Sequence, residues 1–400
     1  MSVFLTTPSR LIPFFCIFIS GAASLVYELI WIRQLSLVFG GTLYAISAVL
    51  CAFMTGLALG AWGIGLLLSH RNKQKKTVNL VLLYGLIEGL IGLYGLFFPY
   101  GLELISGFYA PIVNGTIELG FLLHWIEFFL STALMLPATI CMGATLPLIG
   151  SWSIGKNSER IISDISILYS LNTFGAVAGC LYTQTIALKY FGVSATNLTA
   201  IGMNFLVFLL CTPLRSYFIK NSSSKTPAIK YKINRVSSSA PDRKFSLLLI
   251  FIFAYSGMAA LASEILWTRV LVFPMGTTLN SFALILATFL FGIALGSIMA
   301  DKLLGNSNHV LKFLLIQLSI AISCIAILPL FENIHEWTSK ADQLFYDLDN
   351  IALKTIGIRS LFAFGLMFLP TLGFGLSFPL ANRININLFK TNSKTLGNTY

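Results

Sequence analysis

Glu28 and Glu264 are the residues with which this chain is best equipped to bind something charged. Both stand in the pattern E-x-x-W-x-R, completed by Trp31 and Arg33 in one case and by Trp267 and Arg269 in the other. Each lies about one turn from the end of a long apolar run. A carboxylate so placed either fixes helix depth by reaching water or binds an ion or a substrate. Within one helix an i, i+5 spacing sets Glu28 and Arg33 about 140° apart, which is poor geometry for a local ion pair. Glu28 is therefore expected to pair with Arg269, and Glu264 with Arg33, as two reciprocal latches. Trp31 and Trp267 suit a membrane interface that keeps each indole N–H wet.

Glu88, within LVLLYGLIEGLIGLYGLFF, is the deepest carboxylate. An ionised acid at mid-membrane costs about 2.5 kcal/mol or more. Two readings follow: a protonated group in a polar cavity, serving as a proton or cation site, or an inward-facing structural hydrogen bond. Gln317 takes the corresponding place later in the chain, which makes any titration one-sided. His124 and Glu127, at i, i+3, are a weaker candidate because a pair is too few ligands for a metal site. No nucleophile–base pair, metal cluster or cofactor motif appears, so neither a metal nor a cofactor is expected, and no residue is read as catalytic. Gly373-Phe-Gly375 sits inside an apolar run and not between a strand and a helix. The six cysteines are scattered singly and read as small buried hydrophobes.

These residues must be positioned by helices that cross a bilayer. Hydrophobic residues make up 56% of the chain and charged ones only 10%, against about 25% charged in soluble domains. The fold class is all-α, a polytopic transmembrane bundle in the lipid bilayer. Ten spans are expected: 11–31, 43–68, 78–100, 121–149, 165–188, 198–214, 245–267, 279–300, 310–331 and 356–380. The sixth, at 17 residues, is the shortest. With a cytoplasmic amino terminus, 20 of the 26 Lys and Arg fall on inner segments. That asymmetry places both termini in the cytoplasm of a multi-pass plasma (inner) membrane protein. It also explains the net charge of +11 without nucleic acid.

The bundle is written twice. Residues 20–60 and 256–296 match at 17 of 41 positions, including Ser20/Ser256, Gly21/Gly257, Glu28/Glu264, Arg33/Arg269, Gly56/Gly292 and Gly60/Gly296. The first repeat spans 1–214, a basic cytoplasmic linker 215–244, and the second repeat 245–400. Six spans before the linker make the repeats parallel, an arrangement of 6 + 4 helices in which the second repeat is incomplete. The small residues Ala48, Ala52, Gly56 and Gly60 form a stripe for close helix packing. Beyond Phe331, Ile334, Trp337, Ala341, Leu344, Leu348 and Ile351 recur at helical steps among acids, as in an amphipathic helix on the outer surface.

Several motifs together carry a family likeness. They are S-G-x-x-x-L-x-x-E-x-x-W-x-R, F-G-x-T, G-L-A-L-G, the L-P-x-x-x-x-G-x-x-x-P helix and the Y-x-x-N-T-x-G segment opening the fifth span. With them the chain resembles, over nearly its whole length, the membrane region of fused major-facilitator/spermidine-synthase-like proteins. Gly296-Ser-Ile-Met-Ala-Asp301-Lys302 is similar to a loop of major facilitators, which adds Asp301 as a weak candidate. The resemblance implies a partner aminopropyltransferase-like domain or subunit, and these 400 residues contain none. It implies a membrane module that handles or transports a small, cationic, polyamine-like metabolite. The alternatives are a free-standing major-facilitator-like transporter and a membrane anchor or scaffold that transports nothing.

Overall fold

The computed structural model describes residues 8–40, 43–73, 79–115, 120–153, 161–222, 243–275, 279–304, 308–333, 336–337, 339–340, 343 and 358–389. They form ten long helices: α1 Pro8–Val38, α2 Leu43–Lys73, α3 Leu80–Gly115, α4 Gly120–Ser153, α5 Ile161–Tyr182, α6 Gly192–Ser222, α7 Arg243–Met275, α8 Leu279–Leu304, α9 His309–Glu332 and α10 Ile358–Phe389. Nine of them, searched over the described residues, are long and apolar enough to cross a membrane. The chain is an all-α, multi-pass membrane protein. α5 carries Ser166, Ser170, Asn172 and Thr173 and widens at its end into a π turn, Thr183–Ala187. The sixth span, expected as the shortest, runs longer, Gly192–Thr212. Helix α6 continues to Ser222, past the expected start of the linker; residues 223–242 of that linker lie outside the described residues.

Close packing is set by glycines. α2 packs along α4, and α8 along α10. Gly56 meets the side chain of Thr139, and Gly292 that of Thr371. Gly60 rests on the backbone of Ile140, and Gly296 on that of Leu372. In return Gly143 rests on Leu57, and Gly375 on Ile293. A Cβ at Gly60, Gly143, Gly296 or Gly375 would enter a backbone carbonyl, so these helices approach as only glycine permits. α3 also packs on α4, and α9 on α10.

α5 joins the two halves by packing on both α1 and α8. Gly21 abuts Asn172, while Gly175 and Gly179 rest on Phe18 and Ala22. On the other side Cys180 Sγ donates to Ala283 O at 3.3 Å, Ser297 Oγ donates to Ser166 O at 3.2 Å, and Phe174 meets Phe291 edge-on. The equivalent groove between α7 and α2 is open among the described residues. A Cβ at Gly257, the counterpart of Gly21, would meet nothing within 4 Å. Cys51 on α2, the counterpart of buried Ala287, is exposed. The α1 span is accordingly 72% buried and the α7 span 11%.

Of the expected surface helix beyond Phe331, the described part shows helical hydrogen bonding from Trp337 N to Asn333 O at 3.1 Å and a Lys340–Glu336 pair. Its continuation from 344 to 351 lies outside the described residues.

Candidate functional site

Glu28 on α1 is 7% exposed, and Glu264 on α7 is half-buried. Around Glu28, Leu25 and Leu29 of α1 pack with Cys180 of α5 and with Ala283, Leu286 and Ala287 of α8. The two carboxylates and the Cys180 thiol lie in one neighbourhood of the bundle. Among the described residues neither carboxylate has an ion-pair partner within 4 Å; the acids that do are Glu127, with His124, and Glu336, with Lys340. The expected pairs Glu28–Arg269 and Glu264–Arg33 are therefore not formed. Arg33 and Arg269 stand five residues on, where the helix has rotated their side chains away from the carboxylate face.

The tryptophans also differ from expectation. Trp31 is fully buried, stacked on Phe98 with ring centroids 4.2 Å apart and tilted against Tyr27 at 4.8 Å. Its Nε1 has no hydrogen-bond partner among the described residues. Trp267 is 6% exposed and meets Phe289 edge-on. Aromatic packing inside each half takes these rings in place of an interfacial position.

Glu88 is fully buried between α1, α3 and α6. Ser20 Oγ donates to its Oε1 at 2.5 Å, and Asn204 Nδ2 to its Oε2 at 2.6 Å. In the second half Ser256 Oγ donates to Gln317 Oε1 at 2.9 Å, and Gln317 Nε2 donates to Ser377 Oγ at 3.1 Å. The repeated serine therefore serves the same position on the third helix of each half. Glu88 sits in a buried polar node with a donor on each oxygen.

The weaker candidates separate. His124 Nδ1 lies 3.5 Å from Glu127 Oε2, and Tyr109 Oη donates to Glu127 Oε1 at 2.8 Å. This is a local tie between α3 and α4, and no group of three metal-type ligands occurs among the described residues. The side chain of Asp301 lies outside the described residues. Cys16, Cys180 and Cys211 are buried as expected, Cys141 and Cys324 partly so, and Cys51 is exposed.

Two partners were missed from sequence. Asn204 is a lone amide in an apolar run, and its reach to Glu88 spans 116 residues. Cys180 gave no signal beyond burial. Ser20 and Ser256 were visible as a repeated pair, but not what they bind.

No known family model and no curated protein matches the chain. Among solved structures, the in meso crystal structure of the POT family transporter PepTSo aligns with 98% of this chain and 88% of its own. Identity is 13% and the TM-score 0.34, a likeness too loose to carry structural detail from one chain to the other.

Proposed function

We propose that this chain is a carrier for a small cationic molecule, with its path between the two halves and Glu28 and Glu264 as the binding carboxylates. One observation carries the proposal. Neither of the two acids at the same repeat position, Glu28 buried and Glu264 half-buried, is neutralised by a cation within 4 Å among the described residues. Two such groups away from bulk water repel, and a ligand cation, or a proton on one of them, relieves that repulsion. A flexible amine with two charges, as in a polyamine, fits a pair of separated carboxylates.

Helix packing supports a major-facilitator-like carrier. The α2–α4 and α3–α4 packing recurs as α8–α10 and α9–α10, in keeping with a parallel duplication of six and four helices over 1–214 and 245–400. An aminopropyltransferase-like partner rests on sequence motifs alone and is the second reading.

Uptake of labelled spermidine and of a monoamine into liposomes holding the purified chain tests the proposal. Spermidine uptake should fall at least about tenfold in Glu28→Gln and in Glu264→Gln, the effect of losing roughly 1.4 kcal/mol of binding at each site. Uptake unchanged in both variants would remove these residues from the path. Absence of uptake and of amine binding in the wild type would leave a scaffold.

A further inference from the structure

Of the buried side-chain polar atoms that lack a hydrogen-bond partner among the described residues, five belong to α1, α3 and α6. They are Tyr27 Oη, Trp31 Nε1, Tyr84 Oη, Asn197 Oδ1 and Asn204 Oδ1. They follow a single seam. Tyr84 Oη lies beside Ser20 and Glu88, and Asn204 holds the other oxygen of Glu88. Seven residues further along α3, Asn197 Nδ2 donates to Gly95 O at 2.9 Å. Tyr27 Oη lies against Gly95 too, where a Cβ would meet it at 2.7 Å. Trp31 packs on Tyr27 one turn beyond. From Tyr84 to Gly95 the seam follows α3 for about 16 Å. At the Tyr84 end lies a small apolar cavity lined by Pro13, Cys16, Leu80 and Tyr84.

Unpartnered buried polar atoms in native proteins are normally met by ordered water. A line of them centred on a carboxylate is a path for protons. The groups that face Glu88 among the described residues are Ser20 and Tyr27 on α1, Tyr84 on α3, Cys141 on α4, and Asn204 and Cys211 on α6. None of these is a lysine, arginine or histidine, so among the described residues an ionised Glu88 has no cation to pair with, and a bound proton is what removes its charge.

The second half argues that this set is not a requirement of the fold. Ser263, Phe313, Gln317 and Cys324 stand where Tyr27, Tyr84, Glu88 and Gly95 stand in the first half. Phe313 is fully buried, as Tyr84 is. The second half thus packs its first and third helices with neither tyrosine nor acid at these places.

We propose that Glu88 is an exchangeable proton-binding site on the seam of polar side chains between α1, α3 and α6, reached past Tyr84. A proton arriving past Tyr84 binds a carboxylate oxygen of Glu88. The carboxyl is then neutral while Asn204 still donates to the other oxygen, and release retraces the path. The site stands independently of the cationic-carrier reading, because its readout needs no solute.

Infrared difference spectroscopy on the intact chain in lipid tests it. The wild type should show a protonated-carboxyl band that changes with pH and shifts on transfer to D2O, and Glu88→Gln should lack it. Glu88→Gln should fold with wild-type thermal stability, since Gln317 occupies the equivalent position. Tyr84→Phe, which copies the Phe313 of the second half, should keep the band but slow its exchange with D2O about a hundredfold, at the low end of what a positioned proton carrier contributes. A band insensitive to both pH and D2O would overturn the proposal. So would a Glu88→Gln protein that fails to fold while Tyr84→Phe exchanges at the wild-type rate.

Discussion

At the scale of single residues, the two halves treat one position differently. Glu88 receives a donor on each oxygen, from Ser20 and Asn204, in full burial. Gln317 shares its amide between Ser256 and Ser377 at a less buried place. Removing the Ser20 hydroxyl leaves one buried acidic oxygen without its donor, a loss of about 1–3 kcal/mol. The Ser256 hydroxyl is worth only about 0.5–1.5 kcal/mol, as for an ordinary neutral hydrogen bond. Ser20→Ala should therefore lower the thermal midpoint in detergent more than Ser256→Ala. Equal losses would mean that Glu88 finds a substitute donor.

At the scale of helices, one chemical change has opposite signs at two glycines. Gly60 faces the Ile140 backbone, and a Cβ there collides with the carbonyl. Gly60→Ala should cost about 1–3 kcal/mol as overpacking. Gly257 faces open space, and alanine is a better helix former than glycine by about 1 kcal/mol. Gly257→Ala should therefore be neutral or stabilising. Denaturation of both variants beside the wild type measures the contrast, and a destabilised Gly257→Ala would mean that a further element covers α7.

At the scale of the whole molecule, membrane orientation rests on loop charge. Twenty of 26 basic residues fall on one side when both termini are assigned to the cytoplasm. A single cysteine placed between 223 and 242, in a cysteine-free background, should resist an impermeant thiol reagent in intact cells and react after permeabilisation. Labelling before permeabilisation would invert the topology.

Sequence alone determined the membrane class, the approximate helix positions and the match between residues 20–60 and 256–296. Hydropathy and residue identity are local quantities, and a span of about 20 apolar residues has few other fates. It also exposed the glycine stripe, because Gly56 and Gly60 recur as Gly292 and Gly296. What each helix faces was a different matter. A helix that is apolar all round gives little periodicity by which to fix its rotation about its own axis. That is why Trp31, expected at the interface, lies stacked on Phe98, and why Glu28, assigned to Arg269, has no ion-pair partner among the described residues. It is also why Asn204 was not connected with Glu88. These contacts join residues far apart in the chain, and only the packing of α5 and α6 against α1, α3 and α8 brings them together.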